Sequence, residues 1–553
     1  MQDYDAIVIG SGSGGLTAAL AMARAGKRVV VFEQHYLPGG YSQSFLLKGF
    51  RFSPGIHYVG GLGPGAGLRR IYEGLGVAND LVFFELDPDG YDRVFVGDER
   101  FDIPKGKDRF AERLKARFPS EAEGIDRYFD VIGRMVDEMG YASEIHSLAD
   151  TVVALPTHMP TVLLHGMRPL GALLDSCTAD PLLRAVLSIQ SGDHGMAPSR
   201  APAALHAGLQ AYYFDGGCYP RGGGHLIPDT LMRHIRRHGG EVKLGVEVER
   251  ILIDNERALG VRLADGQEVR ADIVVSNADP GVTWGRLVEP EHLGWRLRHR
   301  IEHLHYSIST LSLFMAVDMD LGAAGIDSGN IWFSRTPDID AVFSLADRQT
   351  LTGQETIPGL FFNVTTLKDP SLRHDGLHTV EAITVASIDP FSRWKDTPPG
   401  QRPDDYARLK ADLTERILDA VECFVPGLRE RTVMRSLGTP LTNQHYLHAT
   451  RGGIYGTEKT VGNLGPFGFQ VDTHIQGLYQ CGASTIAPGI NGVTNSGLNA
   501  AAVALGCTRD ELLTATGQSL RIYPSDHPET WPVDLQPRSH STHPAAVRNS
   551  PSN

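Results

Sequence analysis

The sequence has little of what a secreted, zinc-stapled or nucleic-acid-binding protein needs. Only five of its 553 residues are cysteine, and no two of them have C-x-x-C spacing. A disulfide framework or a structural zinc site is therefore not expected, and this cysteine usage favours a reducing compartment. The net charge of −13 also excludes the basic surface that a nucleic-acid-binding protein normally carries.

The sequence also lacks an uninterrupted apolar run long enough to cross a membrane. The nearest candidate, residues 151–174, is broken by three prolines, two histidines and an arginine. Residues 1–5 lack the basic segment that opens a secretory signal. We therefore expect a cytoplasmic protein, in which residues 151–174 either contact the inner face of a membrane from its surface or form a buried, irregular connection.

The overall composition is that of a globular protein. Hydrophobic residues make up 41% of the chain and charged residues 21%, which excludes a largely disordered, collagen-like or coiled-coil protein. A chain of 553 residues is too long for the commonest single-domain size, so several domains are expected. Residues 523–553 are rich in proline, serine and histidine, and we predict that they form a disordered tail.

The strongest local signal is a strand, a glycine-rich turn, a helix and a second strand at the N-terminus. D-A-I-V-I-G is typical of a buried strand, residues 14–25 of a helix, and R-V-V-V-F-E of a second, parallel strand. The turn satisfies G-x-G-x-x-G, whose glycines allow a tight turn, close approach to a pyrophosphate and close packing of helix on strand. The candidate residues in this turn are Gly10, Gly12, Ser13, Gly14 and Gly15.

Glu33 ends the second strand and favours an adenosine ribose as its ligand. A carboxylate at this position accepts hydrogen bonds from both ribose hydroxyls and repels a 2′-phosphate. Gln34 follows, and then a second glycine pair in P-G-G-Y-S, which lets the chain pass close to a flat or charged group. An NAD dehydrogenase has no need of this second glycine clamp, whereas an extended FAD does. We therefore predict FAD as the cofactor, with Gly39, Gly40, Tyr41 and Ser42 in the clamp.

Three later segments are predicted to return to the same site. G-G-E-V-K-L-G-V-E-V-E-R-I and A-D-I-V-V-S-N-A-D-P have the pattern of strands, and the second rejoins the first sheet. Near the end, G-L-Y-Q-C-G-A-S-T-I-A-P-G-I-N-G-V-T-N supplies a strand, a glycine-rich loop and a helix whose N-terminus could stabilise negative charge on a reduced flavin. The candidate residues in this loop are Gly482, Ala483, Gly492 and Val493.

These patterns predict an α/β fold with a discontinuous Rossmann-type FAD-binding domain. We assign residues 1–75, 215–285 and 465–515 to that domain. The intervening residues 76–214 and 286–464 are predicted to form a substrate domain that combines a mixed β-sheet with helices, including the segment that could contact a membrane.

Taken together, the segments resemble the group of FAD-dependent phytoene desaturases, carotenoid isomerases and retinol saturases, over nearly the whole chain up to about residue 506. The motifs V-F-E-Q-H-Y-L-P-G-G, G-F-R-F-S-P-G-I-H-Y-V-G and Y-P-R-G-G-G are most similar to the retinol saturases in that group. The resemblance implies that the residues named above bind FAD and that the backbone of Val248 meets the adenine. It also implies an oxidoreductase that saturates, desaturates or isomerises carbon–carbon double bonds of an apolar isoprenoid or polyene.

Chemistry at a carbon–carbon double bond needs flavin N5 near one carbon and a proton donor near the other. The family layout places His57 and Tyr58 near the flavin, and Asp193 and His206 lie on the segment that leads into the third flavin motif. For each of them the alternative is a structural hydrogen bond in a buried loop. We interpret the histidines as dispersed, without H-x-x-x-H or H-E-x-x-H spacing, so no metal is expected.

Two other functions stay open at this point. The same scaffold could oxidise an amine or another heteroatom substrate, although the sequence near the C-terminal flavin loop has single aromatics such as Tyr479 rather than a pair. The chain could also be a non-catalytic, FAD-bound lipid carrier, but this leaves a complete flavin-facing loop without a purpose. The expected partner is an apolar small molecule, with no nucleic acid, and no protein partner can be inferred.

Overall fold

The computed structural model describes residues 3–141, 148–346, 348 and 356–537. The strands, in chain order, are β1 (Ala6–Ile9), β2 (Val29–Glu33), β3 (Phe45–Leu47), β4 (Phe50–Phe52), β5 (Val82–Glu85), β6 (Asp92–Val96), β7 (Glu99–Ile103), β8 (Cys218–Pro220), β9 (Glu241–Leu244), β10 (Val248–Asp254), β11 (Arg257–Leu263), β12 (Glu268–Arg270), β13 (Ile273–Ser276), β14 (Ser309–Val317), β15 (Asn330–Ser334), β16 (Gly359–Val364), β17 (His378–Ala386), β18 (Thr432–Gly438), β19 (Leu478–Gln480) and β20 (Arg521–Pro524).

The α-helices are α1 (Ser13–Arg24), α2 (Gly67–Gly74), α3 (Lys107–Arg117), α4 (Ala122–Met139), α5 (Leu148–Thr157), α6 (Leu170–Cys177), α7 (Pro181–Ser188), α8 (Ala203–Tyr213), α9 (Leu226–Arg237), α10 (Pro280–Val282), α11 (Trp295–Glu302), α12 (Asp340–Phe343), α13 (Thr365–Lys368), α14 (Asp404–Val421), α15 (Pro440–Leu447), α16 (Gly489–Leu505) and α17 (Arg509–Leu512).

The first large sheet is parallel, in the order β19-β13-β1-β2-β9. Every residue of its central strand β1 is buried, because successive side chains point to opposite faces of the sheet and both faces are covered. Ala6 and Val8 share a core with helices α1, α9 and α16, whereas Ile7 and Ile9 pack toward the small antiparallel sheet β10-β11-β12. This arrangement confirms the predicted α/β class with a Rossmann-type unit.

The second large sheet has the order β18-β14-β17-β16-β15-β6-β7 and is antiparallel except where β15 pairs with β6. Helices α3, α4 and α6 to α8 contribute to the same large apolar core as this sheet. The parallel sheet draws its strands from residues 6–33, 241–276 and 478–480, and the second sheet draws its strands from the stretches between them. The chain therefore passes back and forth between two sheets, and the candidate active site lies between these sheets.

The prediction of a disordered tail over residues 523–553 is wrong for residues 523–537. Strand β20 pairs in parallel with β5, and the Trp531 ring stacks on Phe84 with a centroid distance of 4.0 Å. Trp531 and Leu535 are buried. The proline-rich composition hid a short segment whose partner, β5, is more than 400 residues away in sequence. Residues 538–553 lie outside the described residues.

The 151–174 segment is mostly helical. It runs through the end of α5, a π-helical turn at Val162–Gly166, and the start of α6. Val152, Val153, Leu163 and Leu164 are exposed large apolar side chains in this segment. Across residues 3–141, 148–346, 348 and 356–537, no helix is both long and apolar enough to cross a membrane.

Candidate active site

Two adjoining cavities lie at the carboxyl ends of β1, β2 and β13, where ligands bind in open parallel sheets. The first has a volume of about 310 Å³ and continues to the second sheet; the second has a volume of about 240 Å³ and follows the end of β2. Six residues line both cavities: Gly12, Gly40, Tyr41, Asn277, Ile454 and Ala483. An extended ligand could therefore occupy both.

The G-x-G-x-x-G turn is placed at the junction of the cavities. Gly10 has φ of 94°, a left-handed conformation that favours glycine, and Gly12 caps the N-terminus of α1. Gly12, Ser13 and Gly14 line the first cavity, so the N-terminal backbone of α1 faces it. A helix N-terminus presents N–H groups and partial positive charge, which suits the pyrophosphate of a dinucleotide.

Glu33 and Gln34 line the second cavity, together with Val248. The Glu33 carboxylate is held in place by three hydrogen bonds. Oε2 accepts from the Ser11 N–H at 2.8 Å and the Ser11 hydroxyl at 2.7 Å, and Oε1 accepts from the His35 N–H at 2.8 Å. The carboxylate that is predicted to hold the ribose therefore also braces the glycine turn, which the sequence did not indicate.

The second glycine clamp crosses the N-terminus of α1. Gly39 and Gly40 both have positive φ, of 105° and 54°. Gly40, Tyr41 and Ser42 line the cavities, and the Ser42 hydroxyl lies 2.8 Å from that of Ser13. The clamp is thereby tied to the helix whose N-terminus it covers.

The C-terminal glycine loop completes the first cavity. Gly482, Ala483, Ile490 and Val493 line it, and they bring the N-terminal turn of α16 beside that of α1. The two helices approach so closely that a Cβ on Gly497 would lie 2.0 Å from the Gly14 carbonyl oxygen. Both helix N-termini therefore face the same enclosed space.

Three of the predicted cofactor residues, Gly15, Gly39 and Gly492, lie behind the cavities rather than on their walls. A Cβ on Gly15 would lie 2.3 Å from the Gly10 carbonyl oxygen, and one on Gly492 would lie 2.2 Å from that of Ala487. A Cβ on Gly39 would lie 2.7 Å from the Pro228 ring. Their contribution is to permit the close packing that shapes the site.

Asn277 and Gln43 are among the cavity residues that the sequence reasoning missed. Asn277, just after β13, lines both cavities, and a Cβ on Gly12 would lie 2.6 Å from its side-chain nitrogen. Gln43 lines the second cavity, and its side-chain oxygen is buried without a hydrogen-bond partner among the described residues. Such an orphaned polar atom is what a bound ligand would satisfy.

The residues present fit FAD. The glycine turn and helix N-terminus suit its pyrophosphate, Glu33 and Gln43 offer polar contacts to its adenosine half, and the glycine loop at α16 borders the first cavity. The two cavities adjoin at the carboxyl ends of the parallel strands, where ligands bind in open sheets of this kind.

Beyond the glycine loops, the first cavity is largely apolar. The second sheet contributes residues of β15, β16 and β17 to its wall, and α12 adds more apolar side chains. The apolar members include Ile308, Trp332, Phe343, Phe361, Ile383 and Tyr455. A substrate bound here would be an apolar molecule in contact with the flavin site.

Of the four residues that the sequence offers as catalytic candidates, His57 and Asp193 line this cavity. Tyr58 does not line it, but its hydroxyl lies 2.5 Å from Asp193 Oδ2 and 3.1 Å from Asp92 Oδ2. Burial raises the pKa of Asp193 to about 8, with a further contribution from the nearby charge of Asp92. This rise favours the protonated form of Asp193 near neutral pH, in which the carboxyl can act as an acid.

His57 is part of a buried polar cluster. Its Nδ1 lies 2.8 Å from Glu381 Oε2, so the carboxylate holds the imidazole proton on Nδ1. Glu381 also accepts from the Ser53 N–H and from Asn363. Lys368 donates to the His57 carbonyl at 2.8 Å, Asn330 Oδ1 at 2.5 Å and Asn363 Oδ1 at 3.2 Å.

Glu381 and Lys368 could have been recognised in the sequence as buried charges, because each lies in or just after an apolar strand. Glu381 stands in the middle of the apolar strand β17, and Lys368 follows the apolar strand β16. A charge in such a run must be paired or hydrogen-bonded when it is buried. Burial lowers the pKa of Lys368 to about 7, against the opposing effect of Glu381 and Asp92.

The catalytic assignment of His206 has no support in the geometry. His206 is fully buried on α8 and lines neither cavity. Its Nε2 lies 2.9 Å from the Leu187 carbonyl oxygen and its Nδ1 lies 3.2 Å from His194 Nε2. Burial lowers its pKa to about 4, so it is a neutral, structural histidine.

The interpretation of the histidines as dispersed is also wrong, since pairs such as His234–His238 and His299–His303 have H-x-x-x-H spacing. His299 and His303 stand four residues apart at the end of α11, and with Glu302 they place ligand atoms within 4.8 Å of one another. All three side chains are exposed, and none of them lines either cavity. This group therefore has no part in the candidate active site.

The fold and the site define a flavoprotein oxidoreductase. The chain belongs to the family described as flavin containing amine oxidoreductase, which it matches over residues 13–505. The predicted FAD cofactor and oxidoreductase activity are thereby confirmed.

The curated relatives also support the predicted resemblance. The all-trans-retinol 13,14-reductase of Danio rerio is 30% identical over 534 residues, which is 91% of this chain and 86% of the relative. That of Homo sapiens is 29% identical over 90% of this chain and 85% of the relative. The chloroplastic prolycopene isomerase of Arabidopsis thaliana is 27% identical over 90% of this chain and 81% of the relative.

Solved structures match in fold. A Methanosarcina mazei oxidoreductase is 19% identical, with a TM-score of 0.59 over 90% of this chain and 99% of its own. Cyclohexylamine oxidase from Brevibacterium oxydans is 18% identical, with a TM-score of 0.60 over 92% of this chain and 99% of its own. At these identities the likeness shows the fold alone.

Proposed function

We propose that this protein is a FAD-dependent reductase that adds two hydrogens across a carbon–carbon double bond of an apolar polyene of the retinoid type. The observation that carries the proposal is the position of Asp193 on the wall of an apolar cavity that is continuous with the FAD site, where burial raises the pKa of its carboxyl to about 8. The all-trans-retinol 13,14-reductases, which are up to 30% identical to this chain, supply the substrate class.

Saturation of a double bond needs an electron pair with one hydrogen and a separate proton. When bound, FAD in its reduced form supplies the electron pair and the first hydrogen. Asp193 supplies the proton: its O–H bond breaks, a C–H bond forms on the second carbon, and Asp193 is left as a carboxylate. The apolar wall excludes water, so that the proton comes from this fixed donor rather than from solvent.

The test of this proposal is the mass of the product. The purified protein with reduced FAD is incubated without oxygen with retinoids, carotenoids and acyl polyenes, and with a monoamine and a diamine as controls. We expect a polyene to gain two hydrogens and, in D₂O, to carry two deuterium atoms at carbon, because the N–H hydrogen of the reduced flavin and the Asp193 proton both exchange with solvent. An unchanged mass with altered geometry would indicate the isomerase chemistry of the prolycopene isomerases, and oxidation of the amine alone would refute the proposal.

We also propose that the protein contacts membranes peripherally, because an apolar polyene must be drawn from lipid. The exposed Val152, Val153, Leu163 and Leu164 in α5 and the following π-turn are the surface for this contact. The net charge of −13 argues against general attraction to anionic lipid, so the contact depends on apolar side chains.

We therefore expect the protein to sediment with neutral phosphatidylcholine vesicles at both low and high salt. Each apolar side chain that is fully buried in lipid contributes about 1.5 kcal/mol or more, so the Val153→Asp, Leu164→Asp double variant should bind about a hundredfold more weakly. The control is the Val433→Asp, Val533→Asp variant, which changes exposed apolar residues elsewhere and should bind like the wild type. Equal binding by both double variants, or none by the wild type, would contradict the proposal.

A further inference from the structure

We propose that Asp92, Tyr58 and Asp193 form a unit of two carboxyls that share one proton, in which Asp92 is the anion that keeps Asp193 protonated. Tyr58 bridges them and turns its hydroxyl from Asp92 to Asp193 once the proton has left. The inference rests on the proposed function, since the proton it concerns is the one delivered to the substrate. Asp92 and Tyr58 act through Asp193 and are positioning residues.

The hydrogen-bond donors around Asp92 assign its charge. Its Oδ1 accepts from the Asn330 side-chain amide at 2.8 Å, and its Oδ2 accepts from the Gln190 amide at 2.7 Å. The orientation of Asn330 is fixed, because the Lys368 ammonium donates to its oxygen at 2.5 Å and leaves its NH₂ for Asp92. These two amide donors stabilise the ionised form of Asp92 more than its protonated form.

The proton must then lie on Asp193. A tyrosine hydroxyl has a single hydrogen and cannot donate to both carboxylates at once. Asp92 receives two amide N–H groups and Asp193 receives none from the described residues, so the ionised form is favoured at Asp92. Tyr58 then donates to Asp92 at 3.1 Å, and the hydrogen in its 2.5 Å contact with Asp193 comes from Asp193. Among the described residues Tyr58 is the one side chain with a hydrogen bond to the Asp193 carboxyl, so nothing else competes for this proton.

The electrostatic surroundings agree with this assignment. Burial raises the pKa of Asp92 to about 6, while hydrogen bonds from Asn330, Gln190 and Tyr58 oppose the rise. The pKa of Asp92 is therefore raised less than that of Asp193, which favours the charge on Asp92 and the proton on Asp193. The other titratable groups that interact electrostatically with the unit are neutral tyrosines and one buried lysine: Tyr91, Tyr212, Tyr213, Tyr455 and Lys368.

The unit also provides for the state after proton transfer. When the Asp193 O–H bond breaks, a new carboxylate is left in a buried cavity, which is costly unless it receives a hydrogen bond. Rotation about the Tyr58 C–O bond moves its hydrogen from Asp92 to Asp193, and Asp92 keeps its two amide donors. Tyr58 keeps its own proton throughout, so the balance is one proton lost from Asp193 and one gained by the substrate.

The test is an infrared pH titration of the FAD-bound enzyme without substrate. The C=O stretch of a protonated carboxyl is followed from pH 5 to pH 10, and the Asp193 band is identified by its loss in Asp193→Asn. We expect this band to vanish near pH 8. In Asp92→Asn its midpoint should fall by about one pH unit, because a like charge has been removed. In Tyr58→Phe the midpoint should rise, because the hydroxyl stabilises the ionised form more than the neutral one.

The matched control is Asp369→Asn, which removes another buried acid that lines neither cavity and should leave the Asp193 midpoint unchanged. Midpoints that are the same in the wild type and Asp92→Asn, or an Asp193 band that is absent in the wild type above pH 6, would overturn the inference. If Asp92→Asn does not fold, the midpoint of the Asp193 band in the wild type and its shift in Tyr58→Phe still test the inference. The titration needs no turnover, so a wrong substrate class leaves its result intact.

Discussion

Product formation is expected to fall by about 10²–10⁴-fold in Asp193→Asn, which is the usual contribution of a positioned general acid. Asparagine keeps the size of the side chain and its place beside Tyr58 but has no acidic proton to give. FAD content, measured from the flavin absorbance of the purified protein, should be unchanged, because Asp193 lines the apolar part of the first cavity rather than the glycine turn. The exposed Asp215→Asn is the matched control and should keep wild-type activity. Retention of more than a tenth of the activity by Asp193→Asn would exclude Asp193 as the proton donor.

The same substitution is expected to stabilise the fold. The pKa of Asp193 is 3.8 in the unfolded chain and about 8 in the folded chain. Between these two pH values the folded chain therefore holds a proton that the unfolded chain has released. Its presence therefore costs stability increasingly as the pH rises from 3.8 to about 8. Asparagine removes this cost, and the melting temperature of Asp193→Asn should exceed that of the wild type by more at pH 8 than at pH 5. A residue that loses activity and gains stability on substitution is typical of a functional site.

The cofactor half of the site could be predicted from the sequence because its signals are local. The turn at Gly10 to Gly15 needs glycine for reasons of backbone geometry, and it lies between a strand and a helix whose own patterns are clear. Glu33 follows directly from the position at which β2 ends. Gly15, Gly39 and Gly492 were also singled out, although the structure shows that they permit packing rather than line the cavities.

The substrate half was harder to predict because its polar groups meet only in the folded chain. Tyr58, Asp92 and Asp193 come from three distant segments, and nothing near Asp92 marks that residue as buried. From the sequence, His206 is as suitable a catalytic candidate as Asp193. In the structure, however, its Nε2 forms a hydrogen bond with the Leu187 carbonyl oxygen inside a helical core. The tail shows the same difficulty, since β20 is recognisable as a strand only once β5 stands beside it.

FAD affinity is expected to fall by about one to four decades in Glu33→Ala. The substitution removes the carboxylate that lines the second cavity and that is predicted to bind both ribose hydroxyls, and each charge-assisted bond is worth about 1.5–3 kcal/mol. The FAD-free protein should also melt at a lower temperature, because Glu33 accepts from Ser11 and His35 and braces the glycine turn. Excess FAD should restore part of the lost stability, since the cofactor binds only the folded chain.

Ser11→Ala separates the two roles of Glu33. It removes the hydroxyl that donates to Glu33 Oε2 at 2.7 Å, but the carboxylate stays free to bind the ribose. We expect it to cost about 0.5–1.5 kcal/mol of folding free energy in the FAD-free protein and to weaken FAD binding less than tenfold. FAD dissociation constants are measured by fluorescence titration for the wild type and both variants in one buffer. Equal constants for Glu33→Ala and the wild type would show that the ribose assignment is wrong, and equal losses in the two variants would show that Glu33 acts through the turn alone.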